Sequence, residues 1–121
     1  MQLLDIQSYS YDRREMLLPL LSRTITKCGG WVHDRQSISA SSFEITLEIE
    51  LRFILDLYAG MIASGLELTH TTHSALTDLC TCRKHFLGTA EAKRIVAVRI
   101  EIAFLQHQTL QTLLMTGSSL A

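Results

Sequence analysis

The chain is poor in the residues that would place it in the simplest functional classes. Its 121 residues include one proline and three cysteines, and 11 basic and 12 acidic residues leave a formal charge of -1. A chain with so little net charge has no global field that would recruit nucleic acid or an anionic membrane surface. Three cysteines, two of them separated by one residue, are poor material for a disulfide framework and predict reduced thiols.

Long apolar runs are also missing. No stretch approaches the roughly 20 apolar residues that span a bilayer, and Asp5 interrupts the opening segment where a signal peptide needs an apolar core. We therefore expect a cytoplasmic protein with no membrane partner. What the chain does have is apolar residues, 47% against 19% charged, which excludes disorder and predicts self-association. By length it is one domain over residues 1–121.

Hydrophobic periodicity divides the first part of the chain into a strand and a helix. Residues 1–9 predict a short strand with apolar side chains on both faces. Residues 12–28 have apolar side chains at helical spacing, and Gly29 and Gly30 supply the positive φ angles that close a helix. Pro19 lies inside this segment and predicts either a kink or a regular helix that begins near it.

The middle of the chain continues with two strands, a helix and another strand. Residues 31–41 predict an edge strand, and residues 43–51 alternate strictly between apolar and polar side chains. The period becomes helical over residues 51–64 and alternates again over residues 66–72. The order strand, helix, strand, strand, helix, strand is that of a ferredoxin-like βαββαβ fold, an α+β antiparallel sheet with helices mainly on one face.

The last third of the chain goes beyond this six-element order. Residues 74–86 keep helical spacing, which favours a helix over a strand. A C-terminal extension over residues 89–121 contains an unusually long strand at 94–105 and a short tail. We expect this extra strand to pair with an exposed sheet edge, either of its own subunit or of a second one.

Two sequence segments resemble a known family. Asp12-Arg13, two further residues and Met16-Leu17-Leu18 open the first helix, and Cys28-Gly29-Gly30 leads into Trp31-Val32-His33-Asp34. With the strand and helix that follow, these segments are similar to an ACT domain over roughly residues 1–76. The resemblance implies a ferredoxin-like module that binds an amino acid, regulates a metabolic enzyme and pairs sheets or strands between the subunits of a homodimer.

The resemblance also implies a ligand site at the subunit interface. Its candidate residues lie at the start of the first helix and at the next strand: Asp12, Arg13, Glu15, Trp31, His33 and Asp34. ACT domains usually have a glycine where Glu15 stands, and glutamate fills the space through which a ligand approaches. Asp12 has two interpretations, a group that holds a ligand amine or a helix cap. Trp31 is either part of the ligand rim or an anchor in a core or interface.

A cluster of metal-binding residue types supports an alternative function. His70, His73, Cys80, Cys82 and His85 lie within sixteen positions, and zinc accepts any four such ligands. Their spacing matches neither CxxC nor HxxxH pairs. On a helix, Cys80 and Cys82 project about 200° apart, whereas Cys82 and His85 share a face. A metal- or thiol-responsive protein that uses His70, His73, Cys82 and His85 is therefore the alternative hypothesis.

The sequence shows no convergent set of acid, base and nucleophile. Cys80 or Cys82 would need a neighbouring base, and Arg83, Lys84 and His85 are close, but no oxyanion-hole motif accompanies them. We therefore expect a non-catalytic regulatory or interaction module without a cofactor.

Three carboxylates share one face of the strand at residues 43–51. Glu44, Glu48 and Glu50 alternate with the apolar positions, a pattern typical of a solvated sheet face. A second interpretation is that this face meets cations of another subunit, such as Arg99.

Overall fold

The structure, a computed structural model, describes residues 3–86 and 93–105, apart from the side chains of residues 80 and 82–86. Its elements, in chain order, are β1 (Leu3–Ser10), α1 (Arg14–Lys27), β2 (Trp31–Ser39), β3 (Ser42–Glu50), a 3-10 turn (Leu51–Phe53), α2 (Ile54–Ala63), β4 (Glu67–Leu68), α3 (His70–Phe86) and β5 (Ile95–Phe104). The α+β class is thus confirmed, as is the helix predicted at residues 74–86. The tail predicted after residue 105 lies outside the described residues.

The five strands form one mixed sheet in the order β2-β3-β5-β1-β4. Strand β5 is central: Ile100 lies opposite Ile6 of the parallel strand β1 and opposite Ile45 of the antiparallel strand β3. The expectations of a purely antiparallel sheet and of an extra strand at a sheet edge are therefore wrong. The two flanking pairs, β3 with β2 and β1 with β4, are compatible with a ferredoxin-like arrangement.

The central position of β5 follows from its buried face. Its alternate side chains are almost fully shielded from solvent: Val96, Val98, Ile100, Ile102 and Phe104. They belong to one continuous core with the buried residues of all three helices, so the helices cover the same face of the sheet. The apolar face of a ten-residue strand is covered along its whole length only where helices cross it, which is the middle of the sheet.

Strand β4 is much shorter than the strand predicted over residues 66–72. It has two residues, and α3 begins at His70. The hydroxyl of Thr69 accepts a hydrogen bond from the backbone N–H of Thr72 at 3.3 Å, and its carbonyl accepts that of His73 at 2.9 Å. Thr69 thus acts as a helix cap, which ends the strand and starts the helix earlier than predicted.

Helix α1 runs without interruption through Pro19, so the prediction of a regular helix that begins near this proline is wrong. The carbonyl that loses its hydrogen-bond donor belongs to Glu15, an exposed residue in the first turn, where water can serve as the donor. Gly29, just after the helix, has φ +81°, as predicted for a residue that closes it.

Helices α1 and α2 pack closely together at Gly60. A Cβ atom at this position would lie 2.4 Å from Cγ2 of Thr24, a contact too short for any real side chain. The Thr24 hydroxyl is also held by the carbonyl of Leu20 at 2.9 Å and lies 3.3 Å from the hydroxyl of Ser64. Glycine at position 60 therefore sets the spacing of the two helices.

Gly60→Ala should lower the free energy of unfolding by about 1–3 kcal/mol, because overpacking outweighs the roughly 1 kcal/mol that alanine gains over glycine in a helix. Urea denaturation measures the change. Thr24→Ser removes Cγ2 and keeps the hydroxyl, so the double variant should recover most of the loss. A Gly60→Ala protein as stable as the wild type would contradict this packing.

Candidate functional site

The ligand-binding residues predicted from the sequence fall into two groups. Asp12, Arg13 and Glu15 lie at the start of α1, whereas Trp31 and its neighbours on β2 follow the end of α1. The helix has 14 residues and is therefore about 20 Å long. Within one chain the structure does not bring the two groups together.

At the start of α1 the helix has no side-chain cap. Arg13 occupies the cap position with extended backbone, and its side chain makes no capping hydrogen bond. Asp12 donates its backbone N–H to the hydroxyl of Ser10 at 3.0 Å. Its carboxylate lies beside Gly65 at the end of α2, 3.0 Å from where a Cβ would stand. The interpretation of Asp12 as a helix cap is therefore wrong.

Arg14, the first residue of α1, was not among the residues that the sequence predicted for the site. Its side chain contacts both β2 and β3. Its guanidinium donates hydrogen bonds to the hydroxyl of Ser37 and the carbonyl of Ala40, both at 3.0 Å. It also lies over the rings of Phe43 and Phe104, 5.5 and 5.4 Å from their centroids. Arg14 thereby ties the start of α1 to the turn between β2 and β3. Since its partners are at least 23 residues away, no local pattern reveals this role.

At the start of β2, Trp31 is 71% exposed, so its interpretation as a core anchor is wrong. Its ring stacks on His33 with centroids 5.5 Å apart, and Nε2 of His33 lies 2.9 Å from Oε1 of Glu48. A register shift between Val32 and Asp34 accompanies this arrangement. Trp31 and His33 thus form an exposed aromatic pair on the face of the sheet that none of the described helices covers, and the carboxylate of Glu48 holds His33 in place.

The centre of that face is a network around Arg99. Its guanidinium donates hydrogen bonds to Glu44 at 2.9 Å, Asp5 at 3.0 Å and Glu101 at 3.1 Å. The hydrogen bond to Glu44, supported by those to Asp5 and Glu101, raises the pKa of Arg99 above its ordinary value. The expectation that Arg99 meets this acidic face from another subunit is wrong, since both lie on neighbouring strands of one chain. Three carboxylates around one guanidinium leave the face acidic.

Two of the three histidines of the metal hypothesis, His70 and His73, lie at the start of α3. His70 is exposed, and Nδ1 of His73 is hydrogen-bonded to the hydroxyl of Tyr58 on α2. Cys82 and His85 belong to the same helix, but their side chains are outside the described part. Among the side chains that the structure describes, no group of three or more His, Cys, Asp or Glu is placed to hold a metal ion.

Cys28 is a half-buried free thiol at the end of α1. Burial, assisted by the negative charge of Asp56, raises the pKa of its thiol. A raised pKa leaves less of the reactive thiolate at neutral pH, which is the opposite of what a nucleophilic cysteine needs.

A groove lies beside the middle of β2, between this strand and α1. Its volume is about 430 Å³, and its lining combines apolar side chains with one hydroxyl and one guanidinium: Leu18, Pro19, Ser22, Arg35, Phe43 and Ile45. Sequence reasoning did not identify this groove, because its residues come from three elements that only the fold brings together.

Fold and site together define an α+β protein with a five-stranded mixed sheet, an acidic open face and a groove under one edge. Comparison of the chain with protein-family models, with curated proteins and with solved structures finds no match. None of the helices in residues 3–86 and 93–105 is both long and apolar enough to cross a membrane.

Arg99→Gln should lower the free energy of unfolding by about 1–2 kcal/mol, because three carboxylates then surround an uncharged side chain. Salt at about 0.5 M should restore part of the loss by screening their repulsion. A second change, Glu44→Gln, should restore part of it at low salt. Chemical denaturation of the three proteins measures this, and a loss that neither salt nor Glu44→Gln reduces would contradict the network.

Alkylation of Cys28 should be slower in the folded protein than in urea at about pH 8, because its raised pKa and its burial both reduce the available thiolate. As the pH is increased, the alkylation rate of folded Cys28 should still be rising at a pH where the alkylation rate of the unfolded thiol has reached its plateau. Peptide mass spectrometry separates Cys28 from the other two cysteines. Asp56→Asn should speed the reaction, and equal rates in folded and unfolded protein would refute the shift.

Proposed function

We propose that the chain is a non-catalytic, ACT-like regulatory or interaction module with a ferredoxin-like βαββαβ core, that it works as a homodimer through strand β2, and that it binds a small metabolite beside this interface. The observation that carries the proposal is the length and exposure of β2. It has nine residues, all exposed except Val32, and within the described strands it pairs on one side, with β3.

An edge strand of this kind favours pairing with another strand. Proteins usually shorten their edge strands or interrupt them with proline, as the two residues of β4 illustrate at the other edge. Strand β2 contains no proline, and its register with β3 is regular over residues 34–37. This stretch presents outward-facing backbone groups to a second copy of the strand. Among them, the N–H of Arg35 is held by the carboxylate of Asp34 and would exchange that partner for the second strand.

The charge of the open sheet face supports pairing at the edge over stacking of two sheets. A second copy laid on this face would place Asp5, Glu44 and Glu101 against carboxylates of the same kind. Like charges brought together in this way are costly, whereas edge pairing leaves the face in solvent.

Antiparallel pairing of two β2 strands would also bring the two groups of predicted ligand residues to the same end of the paired sheets. Trp31 stands at the beginning of β2, and Arg14 binds the other end of the strand through Ser37. In an antiparallel pair the beginning of one strand lies beside the end of the other. The Trp31 end of one copy would therefore lie at the same end as the start of α1 of a second copy, with Trp31 on the open face and Asp12 and Glu15 on the helix side.

A non-catalytic role is supported by the state of the reactive side chains. The raised pKa of Cys28 disfavours its thiolate, and Nδ1 of His73 is occupied by Tyr58. Because this hydrogen bond occupies Nδ1 of His73, that nitrogen does not serve as a metal ligand in this arrangement. The metal-responsive alternative therefore has less support.

Adding lysine to the edge should break the dimer. The double variant Gln36→Lys, Ile38→Lys places like charges across the two-fold axis, and both side chains are exposed, so the fold should persist. We expect sedimentation to show a wild-type dimer and a dissociation constant at least about tenfold higher for the variant.

Ile62→Lys on the outer face of α2 is the control for Ile38→Lys, because it makes the same isoleucine-to-lysine change at another exposed position. It should leave the dimer intact. A monomeric wild type would overturn the proposal, and so would a dimer that Ile62→Lys dissociates and the β2 variant does not.

A further inference from the structure

We propose that the groove between α1 and β2 binds a small carboxylate that carries an apolar group and no ammonium group. This inference rests on the proposed function for the regulatory role of the ligand. It adds the chemical class of the metabolite. The groove has a volume of about 430 Å³. This volume lies toward the lower end of the range found for small-molecule sites, which suits a compact ligand.

Arg35 is the charged residue of the groove. It lies opposite Ile45 of β3, a fully buried residue under the helices, so its side chain leaves the strand on the helix side of the sheet. Within the described part of the chain its guanidinium has no hydrogen-bond or ion-pair partner, and its backbone N–H bonds to the neighbouring Asp34. Asp34 lies opposite Thr46, on the other face of the sheet. The Arg35 donors are therefore available to a ligand.

The donors in the groove suit a carboxylate. A guanidinium offers two parallel N–H groups that match the two oxygens of a carboxylate, and the hydroxyl of Ser22 adds a third donor. A second guanidinium, that of Arg14, lies across the ring of Phe43. Arg14 donates to hydroxyl and carbonyl oxygens, and no carboxylate among the described residues neutralises its charge. Both cations favour an anion in the groove.

The remaining lining selects the rest of the ligand. Leu18, Pro19, Phe43 and Ile45 provide apolar walls, which suit a branched aliphatic or aromatic group. The described lining contains no Asp or Glu, so a ligand ammonium group would lose its hydration without gaining a partner and would face Arg35. The groove therefore favours a simple carboxylic acid over the amino acid with the same carbon skeleton.

A second groove, about 590 Å³ in volume, lies along α1 and provides a control for the binding test. Its described lining includes Arg23 and Lys27 but comes from this helix alone, so it has no opposite wall to enclose a ligand. Arg23→Gln removes the same charge as Arg35→Gln from the same region of the molecule. It should leave binding in the Arg35 groove unchanged.

Isothermal titration of the full chain with isocaproate, leucine, isocaproamide and inorganic phosphate tests the inference. These probes share a carbon skeleton, except phosphate, and differ in the carboxylate and the ammonium group. We expect saturable binding of isocaproate, affinity at least about tenfold lower for leucine, and no binding of the amide or of phosphate. Arg35→Gln should lower the isocaproate affinity at least about tenfold, and Arg35→Lys should retain part of it because the charge stays.

Several results would overturn the inference. Leucine binding as tightly as isocaproate would refute selection against the ammonium group, and phosphate binding as tightly would refute the need for an apolar group. Isocaproate affinity that Arg23→Gln lowers and Arg35→Gln does not would place the site elsewhere, and no isocaproate binding would refute it outright. Sedimentation of the same samples separates the two proposals. A dimer without binding refutes only this inference, whereas a monomer that binds isocaproate through Arg35 refutes only the proposed dimer.

Discussion

The central position of strand β5 is the constraint on which the rest of the structure depends. Because Ile100 packs into the core while Arg99 and its neighbours face the other way, one strand organises both sides of the sheet. Its two edges are occupied by β1 and β3, which leaves β2 as the long edge among the described strands. The location of the free edge and the acidity of the open face are thus both consequences of where β5 lies.

The two faces of β2 carry opposite charge, and this separates two kinds of interaction. Asp34 lies on the open face with the carboxylates around Arg99, whereas Arg35 lies on the helix side above the groove. The open face repels another copy of itself. The groove attracts anions. Backbone pairing at the edge involves neither face directly, so one strand can serve assembly and ligand binding at once.

The sequence predicted those elements whose patterns are local. Strict alternation identified β3 to within one residue, and Gly65 ended α2 near where the structure ends it. Strand order was not accessible in the same way, because alternation shows which side of β5 is apolar but not which strands lie beside it. The predicted fourth strand failed at Thr69, where a helix cap overrode the alternating pattern. Among the candidate site residues, the sequence named Trp31 and His33, whose ligand-binding role stays a prediction. It did not name Arg14 or Arg35, whose neighbours are distant in the chain and are brought close by folding.

The central claim is that β2 pairs with a second copy of itself, and amide hydrogen exchange across a range of protein concentrations tests it most directly. Edge amides in solvent exchange rapidly, whereas those in a ladder between subunits are protected when the dimer is populated. Pairing of β2 predicts that protection of the outward-facing amides among residues 34–37 increases with protein concentration, while that of β5 does not change. Rapid exchange of these outward-facing amides at every concentration would contradict it.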